Sequence, residues 1–436
     1  MRIAIIGGGP AGSFCAIQLI KNTQAKEHQI TIYDSKLFSK LGPPGCNLGA
    51  GVIARSMIQD LEHSNIHIPP HVIQCKISGF SFYAEGGERH FKIPEDQTFY
   101  SVFRGGGPRD KLMGEAESFD KAILEHAMSL GAEQVEASIG DMIFPGDSDG
   151  PFHLKATDGR VFGADVVVGA FGVNSALGKK LGNKGIGYKP PRTIKSFQAE
   201  IPLDEEFIAE SYGEKIKVLS FRIPGVRFIA LTPKKGYVTV TVIGKHAQRA
   251  DLEWILRNER ILRHFPKGFI PPKEYCFCQP KLPVSPARRP YSDRFVVIGD
   301  ANVSRYYKNG IGSAFMTAKF AAEDISSGRI SGKEFRDNYY RKCLREYHRD
   351  NIYGKIMFLL NDIISKSQFF SSVHLDVAKK GSVLSPLGKN MIDEILIDLF
   401  TGESPYRHIF YEVLSPRLQY ELIMHSIEKL GGMLRG

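Results

Sequence analysis

The sequence predicts an α/β fold, a Rossmann-like dinucleotide-binding domain with an inserted antiparallel-sheet lobe and a C-terminal helical region. Three observations predict it. The chain opens on an apolar strand that runs into Gly7-Gly8-Gly9-Pro10-Ala11-Gly12 and then a helix. A second strand, glycine loop and helix recur some 290 residues later, as Phe295 to Ile298, Gly299-Asp300 and Gly310-Ile311-Gly312. Between them, alternating apolar residues over 190 to 284 read as strands, and beyond about residue 335 the apolar spacing becomes helical.

The opening unit has a physical job for each part. Gly7 permits the tight turn, Gly9 lets backbone approach a pyrophosphate at the helix N-terminus, and Gly12 lets helix and sheet pack closely. Pro10 and Ala11 stand at the helix start among the expected cofactor contacts. A second strand, Ile30 to Tyr33, ends in Asp34, about 22 residues beyond Gly12, where an acid accepts hydrogen bonds from a ribose hydroxyl; Ser35 follows it. The order strand, glycine turn, helix, strand, acid predicts a dinucleotide site.

Length and composition bound the rest. The 436 residues suffice for two or three domains, and 42% hydrophobic with 24% charged residues describe an ordinary globular protein. No apolar run of about 18 residues predicts a membrane span, and the first strand is too short for a signal h-region, so a cytoplasmic protein is expected. Six cysteines at positions 15, 46, 75, 276, 278 and 343 have neither the density of a disulfide framework nor zinc-ligand spacing, and no metal is expected. The net charge of +10 favours anionic partners, but the basic residues are dispersed and no basic run interleaved with aromatics predicts a nucleic-acid reader.

Taken in order, residues 1–70 form the first part of the cofactor domain. They include a glycine- and proline-crowded loop, Gly42-Pro43-Pro44-Gly45-Cys46-Asn47-Leu48-Gly49-Ala50-Gly51, whose small residues let backbone pass close to a flat ligand. Residues 71–100 read as strands of the inserted lobe, Val72 to Ile77 and then a hairpin of Gly79 to Tyr83 with His90 to Ile93, one face wet. Residues 101–189 return to the cofactor domain. Arg104 and Arg109 sit in a glycine loop, Ser118 caps a helix starting Phe119-Asp120, and Val166 to Val168 form a buried strand with a small-residue exit through Gly172. Residues 190–284 supply the rest of the lobe, with strands at 196–201, 217–223, 227–232 and 237–243. Residues 285–334 complete the cofactor domain, and 335–436 are helical, as at 335–348, 356–364 and 391–400. Packing of these helices on the core or on a second subunit is expected ahead of a membrane surface.

A first-strand GxGxxG followed by a loop carrying Cys46 resembles the geranylgeranyl reductase family of flavoproteins, which belong with the aromatic hydroxylase-like FAD enzymes. The segment 165–175 is similar to that family's second fingerprint and 294–314 to its third. The resemblance implies FAD as cofactor, with Cys46, Gly49 and Ala50 bordering the flavin ring and Cys46 as the catalytic candidate. It implies an arginine holding FAD ahead of the Phe-Asp helix start, for which Arg104 and Arg109 both qualify. It also implies contacts to FAD from Gly172, Gly299, Asp300, Gly310, Ile311 and Gly312, the last three at a helix N-terminus that stabilises reduced flavin. Phe171 stands where the family has an acid. The segment 224–237 is similar to a substrate-lobe motif, Tyr-x-Trp-x-Phe-Pro. Phe228 and Pro233 keep its outline as substrate residues, whereas Ala230 replaces the tryptophan and Thr232 the phenylalanine.

The expected function is an FAD-dependent reductase that exchanges hydride or electrons at flavin N5 with an apolar, isoprenoid or lipid-like substrate. Two alternatives stay open, a flavin monooxygenase or hydroxylase, and a non-catalytic flavin electron carrier at a membrane surface. The electron donor is open between NAD(P)H and ferredoxin or another protein, and peripheral membrane association is a further expectation.

Overall fold

The computed structural model describes residues 1–22, 28–36, 49–108, 118–146, 150–245, 249–386 and 388–435. A six-stranded sheet runs in the order Tyr291–Ser292, Phe295–Val297, Val166–Gly169, Arg2–Ile6, Gln29–Tyr33, Glu133–Val135. All its pairings are parallel except the edge pair Tyr291–Ser292 with Phe295–Val297. Both faces of a parallel sheet are covered, which is why Val166–Gly169 is buried at every position and reads as a continuous apolar run.

Two helices lie together against this sheet. Pro10 opens the first, Pro10–Asn22, at the position where its missing N–H costs nothing. The second is Gly310–Ser326, whose small residues Ala314, Ala318, Ala321 and Ala322 are all buried. Small side chains allow close approach, and Phe14 meets Phe315 edge to face at 5.3 Å. Ser118 caps the helix Phe119–Ser129 by accepting from the Lys121 N–H at 3.1 Å, and Phe119 packs on Phe14.

The second large sheet has eight strands. Its path is Cys276–Cys278, Thr193–Pro202, Tyr237–Gly244, Val226–Lys234, Lys215–Leu219, Gly79–Ala84, Gly87–Lys92, with Lys281–Pro283 also on Thr193–Pro202. Lys215–Leu219 pairs with Gly79–Ala84 in parallel, and the other pairings are antiparallel. Three expectations from the sequence are corrected here. The strand at 72–77 is Ile73–Ile77 and does not join this sheet. It pairs with Phe99–Val102 in a three-stranded sheet with Val52–Ala54, because Phe99–Val102 lies between them. The strand at 79–83 has no wet face; every residue of Gly79–Ala84 is buried, with Phe80, Phe82 and Ala84 against the C-terminal helices on one face and Tyr83 in a second apolar cluster on the other. The strand expected at 217–223 is Lys215–Leu219, and Ser220 bonds back to the Tyr83 carbonyl instead of extending it.

From Gly332 to Ser365 the chain is helical with wide turns at 336–340 and 344–348, and further helices are Gln368–Lys380, Met391–Thr401, Tyr406–Val413 and Pro416–Arg435. Phe358, Phe400 and Tyr406 pack on Phe82 and Phe228 of the large sheet, with Phe82 to Phe400 at 5.6 Å and Phe228 to Phe400 at 5.2 Å. These helices therefore form the lobe's missing wall. Among the described residues, no helix is long and apolar enough to cross a membrane.

Candidate cofactor and substrate cavities

The turn between the first strand and first helix is held by its glycines and by Asp34. Gly7 has φ +110°, and a Cβ there would stand 2.5 Å from the Ala170 carbonyl oxygen. A Cβ on Gly12 would stand 1.9 Å from the Gly7 oxygen, so the helix sits on the turn with no room for a side chain. Gly9 is the opposite case. A Cβ there would meet nothing within 4 Å among the described residues, and Gly9 faces a cavity of about 390 Å³. Asp34 accepts the Gly8 N–H at 2.5 Å through one oxygen and the Lys36 N–H at 2.8 Å through the other. A carboxylate has roughly four acceptor positions, so this anchoring leaves capacity for a ligand hydroxyl. Ser35 is exposed at the cavity edge.

Gly9, Pro10, Ala11, Asp34, Ser35, Gly172, Gly299, Asp300 and Gly310 all line this first cavity. Phe171 lines it too, where the resembled fingerprint carries an acid, and its ring lies on Tyr188. A second cavity, of about 240 Å³, has Gly49, Ala50, Gly172, Asp300, Gly310 and Ile311 on one side and the inner face of the eight-stranded sheet on the other. Arg104, Gly172, Asn174, Asp300 and Gly310 line both cavities, so they form one bent track.

Arg104 stands at the bend. Its Nε donates to Asp120 Oδ1 at 2.6 Å, and the Gly105 N–H donates to the other oxygen at 3.0 Å. Asp120 is the second residue of the Phe119–Ser129 helix, so the Phe-Asp helix start positions the arginine. Arg109 and Cys46 lie outside the described residues. Asp300 is pushed above the ordinary carboxylate range by burial, against a hydrogen bond from Ser304 and the pull of Arg104.

The Gly310–Ser326 helix points its N-terminus into the track. Asn309 adopts φ +49° and caps the helix, its side chain accepting the Gly312 N–H at 2.9 Å. Gly310 and Ile311 line the cavity, whereas Gly312 is engaged in the cap and lies off it. A helix N-terminus there favours negative charge. Gly12 is likewise off the cavity wall, acting through helix packing.

On the sheet side, Phe228 lines the second cavity and Pro233 does not. Strand alternation places Phe228, Ala230 and Thr232 on the inner face, while the Pro233 carbonyl accepts a hydrogen bond from Ser101 Oγ at 2.7 Å. The expectation that Pro233 faces a substrate is therefore corrected. Several lining residues were missed in the sequence: Gln198, Thr232 and Thr241 on the sheet, and Tyr307 and Lys308 before the helix cap. Only strand periodicity could have found the first three. The Lys308 ammonium lies 4.6 Å over the Phe228 ring and 5.2 Å over Phe400, and burial lowers its pKa to about 7.

A third cavity, about 550 Å³ and mostly aliphatic, lies among the C-terminal helices. Phe82 lines it and touches Phe400, which lines the second cavity, so an aromatic pair separates the two.

No family model matches the chain. A geranylgeranyl diphosphate reductase from Synechocystis is 24% identical, the match covering 100% of this chain and 98% of the relative. A geranylgeranyl bacteriochlorophyll reductase-like protein from Thermoplasma acidophilum superposes with a TM-score of 0.65 at 16% identity, over 94% of this chain and 98% of that one. The halogenase PltM, in complex with phloroglucinol and FAD, superposes with a TM-score of 0.61 at 14% identity, over 96% and 86%.

Proposed function

We propose, on the premise that this chain is a geranylgeranyl reductase-like flavoprotein and an FAD-dependent oxidoreductase, that it reduces a carbon–carbon double bond of an apolar, isoprenoid-derived substrate. The observation that carries the reading is the bent track itself. Its first limb has a glycine turn, a helix N-terminus and an anchored acid, and its second limb ends on a mostly apolar sheet face.

The residues fit FAD limb by limb. The open space beside Gly9 and the N-terminus of the Pro10–Asn22 helix would take the pyrophosphate, Asp34 a ribose hydroxyl, and Asp300 the ribityl or phosphate region. Bound FAD supplies hydride chemistry at N5. Arg104, fixed by Asp120, holds positive charge at the bend, and the N-terminus of Gly310–Ser326 stabilises negative charge beside it. Phe80, Ile216, Val218, Phe228, Ile243 and Phe400 hold an apolar chain and exclude water.

The test is the visible spectrum of the purified protein during anaerobic addition of dithionite and then NADPH, followed by mass analysis of products from prenyl alcohols and diphosphates. Flavin bands, and a product two mass units heavier per double bond reduced, are expected. Bleaching by dithionite alone assigns the donor to a ferredoxin-like protein, and bleaching by NADPH assigns it to nicotinamide. Substrate-dependent oxygen uptake with a hydroxylated product would replace the reductase reading with a monooxygenase.

A further inference from the structure

The inner face of the large sheet carries polar side chains on three adjacent strands, and they divide into two groups. Glu200, Thr239 and Lys234 satisfy one another. Lys234 Nζ donates to Glu200 Oε1 at 2.9 Å and Thr239 Oγ1 to Glu200 Oε2 at 2.7 Å. None of these three lines the cavity. Gln198, Thr232 and Thr241 do line it. They are 5%, 1% and 6% exposed, and Gln198 Oε1, Thr232 Oγ1 and Thr241 Oγ1 have no hydrogen-bond partner among the described residues.

Register brings the three together. Gln198 is directly opposite Thr241, and Thr232 is opposite Thr239, one step diagonal from Thr241. Opposed side chains on one face have Cβ atoms about 5 Å apart and diagonal ones about 7–8 Å. A ligand group over Thr241 can therefore reach it together with one neighbour, Gln198 across the strand or Thr232 on the diagonal, while Gln198 and Thr232 are themselves two strands apart. Ala230, opposite Thr241, leaves the space above them open. A buried hydroxyl or amide oxygen without a partner is costly, and this sheet pairs its other inner-face polar groups in their vicinity.

We propose that Gln198, Thr232 and Thr241 form a subsite for a neutral hydroxyl group on the substrate. The inference rests on reading this cavity as the substrate chamber. A hydroxyl both donates and accepts, which suits an amide oxygen that accepts and two threonine hydroxyls that do either. A charged head group fits less well, because the cavity's guanidinium groups already hold a carboxylate or a carbonyl, with Arg305 Nε the one buried guanidinium nitrogen lacking a partner among the described residues. Arg104 is held by Asp120, and Arg305 bonds the Ser404 carbonyl and lies 3.8 Å from Asp350. The Lys308 ammonium lies over Phe228 and Phe400, two rungs or more along the strand from Thr232.

The test titrates the FAD-loaded protein with geraniol, with its deoxy hydrocarbon counterpart and with geranyl diphosphate, reading the perturbation of the flavin spectrum. The wild-type protein is expected to bind geraniol about tenfold more tightly than the hydrocarbon. Thr232→Val with Thr241→Val should remove that preference and leave hydrocarbon affinity unchanged. The same double variant should melt no lower than wild type, because it deletes buried hydroxyls that lack partners, whereas hydroxyls with a structural role would lower the melting temperature. Equal binding of alcohol and hydrocarbon, tightest binding of the diphosphate, or a preference that survives the double variant overturns the subsite alone. Failure of all three probes to perturb bound flavin overturns the substrate chamber and the subsite with it.

Discussion

Arg104, on the wall shared by the two limbs of the track, meets Asp120 of the first limb at 2.6 Å, and the carboxylate that orients the arginine also holds the Gly105 N–H. Sixteen residues apart in sequence, they join a glycine loop to a helix start. Asp120→Ala leaves a guanidinium and a backbone N–H without their partner, a loss of about 1–3 kcal/mol. FAD affinity should fall about tenfold or more in a fluorescence titration, and unchanged affinity would detach the pair from cofactor binding.

Gly9 and Gly12 should separate binding from folding. In Gly9→Ala the new methyl meets no atom of the described residues but enters the cavity, so FAD affinity should drop with the melting temperature of the FAD-free protein nearly unchanged. In Gly12→Ala the methyl would press on the Gly7 oxygen, which costs about 1–3 kcal/mol or more by overpacking. Its melting temperature should fall even without FAD. Equal effects of the two substitutions would contradict this division.

The Glu200–Lys234 pair is fully buried on both sides. Burial lowers the lysine pKa, and Glu200 opposes that shift by attraction and by a hydrogen bond. Lys234→Met leaves a lone buried carboxylate and should destabilise by about 3–5 kcal/mol, much of it recovered when Glu200→Gln is added. Urea denaturation of the two variants measures this. A double variant no more stable than the single one would refute the coupling.

Lys308 gives stability a pH dependence of known sign. Its folded pKa is lowered by burial to about 7, below the ordinary 10.5, so between these values the unfolded chain binds more protons than the folded one. The lysine's contribution to stability therefore rises with pH through that window, and its penalty is fully present below pH 7. Lys308→Met should stabilise the protein at pH 6.5, and the gain should shrink by pH 10. A gain that is constant across this range would show that the ammonium is not desolvated.

Much of the cofactor limb was legible in the sequence because glycine turns and parallel strands depend on local spacing. Gly7, Gly9, Gly12 and Asp34 could be placed by counting, and Ser118 announced its helix by cap chemistry. The substrate limb was less legible. Pro233 looked like a cavity residue by motif, yet strand alternation turns it away and presents Thr232. The pairing of Ile73–Ile77 with Phe99–Val102 depends on tertiary register that no local pattern carries. The contact of Arg104 with Asp120 appears only once the helix start is folded against the glycine loop, while Arg109, the other candidate, lies outside the described residues.

Phe400 and Thr401 complete the second cavity, and Gly402, at φ +73°, lies so close to Lys308 that a Cβ there would stand 2.6 Å from the lysine Cβ. The pocket that begins at Gly7 is thus sealed by residues nearly four hundred positions later. During synthesis the glycine turn and its helix emerge early, whereas the helix Met391–Thr401, which supplies Phe400 and Thr401 to the second cavity, emerges late. A chain ending before Phe400 would lack this part of the second cavity's wall, so the site that opens at the N-terminal glycine turn depends on residues close to the other end of the sequence.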